Sequence, residues 1–245
     1  MDSGYYAAMT GLVARGQALD TAAANLANAQ TPGYRAEREF FRAVLLGPDG
    51  EGSQLGQTVN RYGLLGGDAL DLAQGSLQQT GNPLDLALEG QGFFAVQAAN
   101  GPRYTRDGSF QRSPRGILVT DANEPVLSST GQQIPIPPGE ISVGGSGVLS
   151  VDGGAVATVG VYTFPPGVAL TAEGANRYIS PEGAPPLSSP DTTVRQGAIE
   201  ASNQDVVQGT MNLIMMQRQA EMMQKALTTF HNDFNKFATE DLPRV

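Results

Sequence analysis

Glu89-Gly90-Gln91-Gly92-Phe93-Phe94-Ala95 spaces its glycines as a phosphate-cradling turn does, with Ala95 in the place of the third glycine. Such a turn binds a pyrophosphate only when a helix follows and offers its N-terminal N–H groups. Residues 93–98 read as a strand, so the glycines are assigned to a tight turn ahead of a buried aromatic strand. In Tyr104-Thr105-Arg106-Asp107-Gly108-Ser109-Phe110, Asp107 has the type of a general acid or base, but Asp-Gly between two candidate strands is first of all a hairpin turn. Asp121-Ala122-Asn123-Glu124 puts oxygen ligands at alternate positions, yet Pro125 follows and the glycine and distal Glu of a calcium loop are missing. The chain has no Cys and one histidine, His231, which removes thiolate metal sites, Cys nucleophiles and multi-His clusters. His231 has no Ser or Asp partner at an interpretable spacing and reads as a solvated helical residue. No catalytic, cofactor-binding or metal-binding residue is therefore assigned.

The remaining polar candidates are two amides. Asn25 and Asn28, three apart, share one side of a helix near its C-terminal end, where they can satisfy orphan carbonyls, bond across a helix interface, or simply fill a polar helix end. Charge narrows the partners: 15 basic against 24 acidic residues give −9, which repels a phosphate backbone, so no nucleic-acid partner is expected. The opening Met1-Asp2-Ser3-Gly4 lacks a positive n-region and makes a poor signal peptide. No stretch approaches the roughly 20 apolar residues of a membrane span, so membrane insertion is not expected.

The elements that must carry these residues follow from the breakers. Of 16 prolines, 15 lie between Pro32 and Pro190, and only Gly4, Gly11, Gly16 and Gly209 of 31 glycines fall outside residues 33–197. The two ends can be helical and the middle cannot. Tyr5, Met9, Leu12, Gly16, Leu19, Ala23 and Leu26 alternate spacings of four and three, a heptad seam, and Thr31-Pro32-Gly33 should stop that helix near Asn28. Val206, Gly209, Leu213, Met216, Ala220, Met223, Leu227, Phe230, Phe234 and Phe237 repeat the pattern over a longer span, and Ser202 with Asp205 resembles the capping box that would start it. Ile214, Met215 and Met222 widen this second seam beyond what one partner helix covers. One apolar stripe cannot offset the ordering of a whole helix, so the N-terminal arm should fold only on docking to another helix. Two seams at opposite ends predict a terminal helix pair.

Between them, residues 84–88, 93–98, 116–120, 148–151, 156–164 and 177–180 are short apolar or β-branched runs separated by turns such as Asn100-Gly101-Pro102 and Asp152-Gly153-Gly154. Strands this short with no helix between them imply an antiparallel β domain. The expected class is α+β, with N- and C-terminal helices forming a coiled-coil pair around that domain. Its parts are a helix over 1–30, an extended connection over 31–72, a β-rich domain over 73–200 and a helix over 201–245.

Three stretches resemble one family. Ala24-Asn25-Leu26-Ala27-Asn28-Ala29-Gln30-Thr31-Pro32-Gly33-Tyr34-Arg35 is similar to the N-terminal signature of the bacterial flagellar rod and hook proteins, with Ala24 where that signature has an Asn. Residues 74–94, from Gln74-Gly75-Ser76-Leu77 to Gly92-Phe93-Phe94, and then residues 104–110 resemble its central signature. Gln196-Gly197-Ala198-Ile199-Glu200-Ala201-Ser202-Asn203, with Gln217-Arg218, resembles the C-terminal one. Only 36–72 and 121–195 lack a specific match. Within the family, the opening residues, the short chain and the sparse 36–72 stretch are most like a proximal rod protein, with a distal rod protein as the alternative.

The resemblance implies a non-enzymatic subunit of the periplasmic drive shaft, with no cofactor, exported through the flagellar export apparatus without a cleaved signal. Its partners are then other copies of itself and neighbouring rod proteins. The assembly interface is expected on Tyr5, Met9, Leu12, Leu19, Ala23, Asn25, Leu26 and Asn28 of the first helix and Val206, Leu213, Met216, Ala220, Met223, Leu227, Phe230 and Phe234 of the second. An adhesin-like β module on a helical oligomerisation stalk is the competing class, and with no Trp and 16 Tyr plus Phe the middle offers it few platform residues.

Overall fold

The computed structural model describes residues 2–42, 64–165, 168–181, 186–189 and 192–240. It is α+β, with one helix at each end of the described chain: α1 (Asp2–Ala27) and α2 (Val206–Glu240). The chain divides into two units. One comprises Met1–Ala27, Glu37–Ala69 and Val206–Val245, the other Asn28–Ala36 and Leu70–Asp205.

In the first unit, α1 packs along α2 and carries β1 (Glu37–Arg42), which pairs with β2 (Leu64–Leu70). Both strands fall in the stretch expected as an extended connection, whose glycine-rich part over 43–63 lies outside the described residues. Asp205, directly before α2, holds the N-cap position. The Ser202 hydroxyl accepts from the Gln204 amide at 3.1 Å, a local turn, so the capping box expected from Ser202 and Asp205 does not form.

The second unit is built on β5 (Phe93–Ala98), which has the bounds its apolar run predicts. Successive β side chains point to opposite faces, and here both faces are covered. Phe94 and Val96 enter one cluster with Leu86, Leu88, Phe110, Leu118, Ile134, Ile136 and Leu149. Phe93 and Ala95 enter another with Tyr104, Leu127, Leu170 and Tyr178. Edge-to-face ring pairs fix both, Phe94 on Phe110 at 5.1 Å and Tyr104 on the half-buried Phe164 at 4.8 Å.

β5 is central in a six-stranded antiparallel sheet. From one edge its strands are β13 (Thr171–Gly174), β14 (Arg177–Ile179), β6 (Gly101–Thr105), β5, β12 (Val161–Thr163) and β15 (Leu187–Ser188). A three-stranded antiparallel sheet joins β9 (Ile141–Val143), β10 (Val148–Val151) and β11 (Gly154–Thr158). Asp152 and Gly153, at φ of 50° and 79°, make the two-residue turn between β10 and β11, the left-handed geometry that an Asp-Gly hairpin requires. The run read as one strand over 156–164 splits into β11 and β12.

The Asp107-Gly108 hairpin does not exist. β6 pairs with β5 and β14, while β7 (Gln111–Arg112) pairs with β8 (Leu118–Val119). Asp107 and Gly108 instead join two strands of different sheets.

Candidate functional site

Two features of the molecule are built from residues that no packing of a simple core would require. The first is the pair of terminal helices. The buried and half-buried line of α2 runs Gly209, Leu213, Met216, Ala220, Met223, Leu227, the alternating four-three spacing of a helix with one covered stripe. α1 differs from its sequence seam. Its buried residues are Gly11, Ala14, Ala18 and Asn25, whereas Leu12, Leu19 and Leu26 are half-buried and Met9 and Ala23 exposed. Small residues let two helix backbones approach closely, so the small face is covered and the large-residue seam is left toward its flank. Gly16, on that seam, has open space around it.

Asn25 is placed by the strand that follows α1. Its amide nitrogen donates to the Glu37 carbonyl at 2.8 Å and its amide oxygen accepts from the Glu37 N–H at 2.9 Å, so one buried side chain satisfies both polar groups of the first residue of β1. Asn28, half-buried, accepts from the Thr31 hydroxyl at 3.2 Å and closes the turn after the helix. Val206 at the start of α2 is exposed, and Tyr5, Phe230 and Phe234 lie on the helices with side chains outside those described. Beside the covered stripe, Met211, Ile214, Met215 and Met222 of α2 and Val13 of α1 are exposed.

The second feature lies in the β unit, where the three signature stretches meet. β17 (Ala198–Glu200) pairs with β3 (Leu77–Gln79), and β16 (Thr193–Gln196) pairs with β4 (Leu86–Glu89), so residues 193–200 zip onto residues 77–89. The segment 33–36 lies against β17 and the residues that follow it. Gly33 donates to the Glu200 carbonyl at 2.7 Å, at a φ of 68° that favours glycine, and any Cβ there would overlap the backbone of Arg106 and Asp107.

At the centre is Glu200, with its side chain fully buried. One carboxylate oxygen lies 2.7 Å from Arg35 Nη1 and accepts from the Gly75 N–H at 2.8 Å. The other accepts from Arg106 Nη1 at 3.0 Å. Arg106 also donates to the Gly90 carbonyl at 2.6 Å and stands over the Phe93 ring at 5.4 Å. Two guanidinium groups thus share one carboxylate out of water. Burial, opposed by Glu200 and reinforced by the like charge of Arg35, lowers the Arg106 pKa to about 10.

Asn203 completes the junction, accepting from the Ala36 N–H at 2.8 Å and donating to the Asp71 and Ala73 carbonyls at 2.8 and 3.0 Å. Sequence reasoning assigned no role to Arg35, Arg106, Glu200 or Asn203. The available signal was a single charge set between apolar neighbours, Ile199-Glu200-Ala201, on a strand too short to leave its own pattern.

Residues 6–35 match the family model described as flagella basal body rod protein, and residues 87–151 match the flagellar hook protein FlgE/F/G D1 domain. The flagellar basal-body rod protein FlgF of Caulobacter vibrioides is 35% identical over 247 aligned positions that cover 100% of both chains. The chain belongs to the flagellar basal-body rod protein family. FlgF of Mesorhizobium japonicum is 33% identical over 90% of each chain. The rod protein FlgG of Bacillus subtilis is 28% identical over 91% of this chain and 93% of its own. The two matched family regions fall on the two features just described. The rod model spans most of α1 and ends at Arg35, and the D1 model spans β4 through β10 and so contains Arg106.

Proposed function

We propose that this rod-family chain is a proximal rod subunit with a structural, not catalytic, role, which assembles by packing its terminal helices against those of neighbouring subunits into a tubular drive shaft. Its partners are further copies of itself and the adjacent rod proteins, and the paired helices continue as coiled coil in the assembly. The observation that carries this reading is the α2 surface. After α1 has covered one stripe, Met211, Ile214, Met215 and Met222 remain exposed on one side of the helix over three turns, with the exposed Arg218 between the first three and Met222. An exposed apolar face of that length is an interaction surface, and flexible thioethers suit unlike neighbours above and below. On α1 the seam residues Met9, Leu12, Leu19, Ala23 and Leu26, left off the buried line, supply the complementary outer surface. The proximal assignment draws on FlgF relatives at 32–35% identity against 28–30% for FlgG relatives. Export through the flagellar apparatus without a cleaved signal, and a periplasmic place in the basal body, follow from the same reading.

The test is replacement in the source bacterium. A strain lacking the gene should be non-motile, and the wild-type chain should restore motility while the chain ending at residue 205 should not, although the β unit of that truncated chain keeps its circular dichroism. Restored motility from the truncated chain would refute assembly through α2.

A further inference from the structure

The junction of Arg35, Glu200 and Arg106 has an unbalanced charge: two cations and one anion, all three side chains at most 3% exposed. A buried ion pair gains in Coulomb attraction about what it loses in desolvation, and a second cation on the same carboxylate adds burial cost and like-charge repulsion without a second anion. Arg106 is held on both Nη atoms, by Glu200 and the Gly90 carbonyl, and stands over the Phe93 ring, with only its buried Nε unpartnered. Arg35 reaches Glu200 Oε1 only as a close ion contact, and its Nε and Nη donors make no hydrogen bond. The β unit would be better balanced electrostatically without Arg35.

What Arg35 does accomplish is local. Residues 33–36 directly follow the turn that ends α1, and residues 200–203 directly precede α2. Backbone bonds from Gly33 to the Glu200 carbonyl and from Asn203 to the Tyr34 carbonyl, at 2.7 and 3.3 Å, run beside the Arg35 contact, and the Arg35 N–H donates to the Tyr178 hydroxyl at 3.1 Å. The two points at which the chain leaves this unit for its helices are therefore tied together at one carboxylate.

We propose that Arg35 is a positioning residue for assembly: through Glu200 it clasps the exit of α1 to the entry of α2, at no gain to the stability of the β unit. The inference rests on the reading of the chain as a rod subunit only for its assembly arm. Buried ionic groups that fix register instead of adding stability are the precedent in physical terms.

The full chain is tested with Arg35→Met and, for contrast, Glu200→Gln. Glu200→Gln leaves two buried cations without an anion, and its Tm should fall by about 5 °C or more. Arg35→Met leaves a balanced Arg106–Glu200 pair, and its Tm should stay within about 2 °C of wild type or rise. In Arg35→Met the amides of Gly33 and Asn203 should nevertheless exchange with solvent at least about tenfold faster, while those of β5 are unchanged. Incorporation into rods should fall at least about tenfold at equal protein level. If Arg35→Met lowers the Tm as Glu200→Gln does, Arg35 is an ordinary stabilising partner and the proposal fails. It fails equally if amide protection at Gly33 and Asn203 is kept, or if the variant assembles like wild type. Should the wild-type chain itself not enter rods, the functional reading is refuted, and hydrogen exchange on the purified protein still decides the clasp.

Discussion

Replacing Met215 with Glu separates a helix face that is covered within the chain from one that waits for a neighbour. Full burial of a Met or Ile side chain is worth about 1.5–3 kcal/mol. Met211, Ile214, Met215 and Met222 are 60, 47, 53 and 63% exposed, so about 1 kcal/mol per residue remains to be gained when a neighbour covers them. Over four residues that is about 4 kcal/mol, close to a thousandfold in association. A carboxylate at 215 forfeits its share and must also be stripped of water against an apolar partner, which together costs the contact at least about 3 kcal/mol. In the free chain the same carboxylate stays in water, and stability should change by less than about 0.5 kcal/mol. The assay is paired: thermal melting of the purified variant, and motility with rod incorporation in cells. Unchanged melting with lost incorporation is expected. A large fall in melting temperature would mean the face is covered in the free chain, and normal motility would mean it meets nothing in the rod; either result refutes the reasoning.

Three further outcomes follow from the geometry. Phe94→Ala removes a ring with no exposure that packs edge-to-face on Phe110, and the β unit should lose about 3–5 kcal/mol in denaturant unfolding. Gly16→Ala places a methyl in open space on α1 and should raise helicity and stabilise the arm by about 0.5–1 kcal/mol, read by circular dichroism. Asp107 has its carboxyl raised above the ordinary 3.8, chiefly by burial and further by Asp121 and Asp85, against the Ser109 hydrogen bonds. A raised folded value means that its contribution is fully present below pH 3.8 and lost as pH rises through the folded pKa. Asp107→Asn keeps an oxygen for the Ser109 N–H, so the variant should equal or exceed wild type by about 1 kcal/mol at pH 7, with that advantage gone by about pH 3.

β5, buried on both faces, was legible because such burial writes a continuous apolar run, Phe93-Phe94-Ala95-Val96, and β10, whose buried Leu149 and Val151 alternate with half-buried neighbours, also has the bounds read from its residues. β3, β7, β16 and β17 are two to four residues long and exist through partners far along the chain, so they leave no local period. The same cause undid the hairpin at Asp107-Gly108: turn chemistry was present, but β6 and β7 pair elsewhere. On α2 the covered stripe follows large residues and could be read from spacing. On α1 it follows Gly11, Ala14 and Ala18, because close helix approach selects for small side chains and a count of large ones points to the neighbouring face. The junction was hidden for a different reason. Arg35, Arg106 and Glu200 lie 71 and 94 residues apart in turn, each in a separate stretch, and nothing in any one of them announces that its charge is buried.

The central claim is that this chain occupies the rod. A density map of basal bodies isolated from cells whose only copy carries a small rigid tag in the β10–β11 turn, at Asp152-Gly153, tests it directly. The account predicts tag density at the proximal rod, with α1 and α2 packed among neighbouring helices. Intact rods without that density in cells that export the tagged protein normally would contradict it.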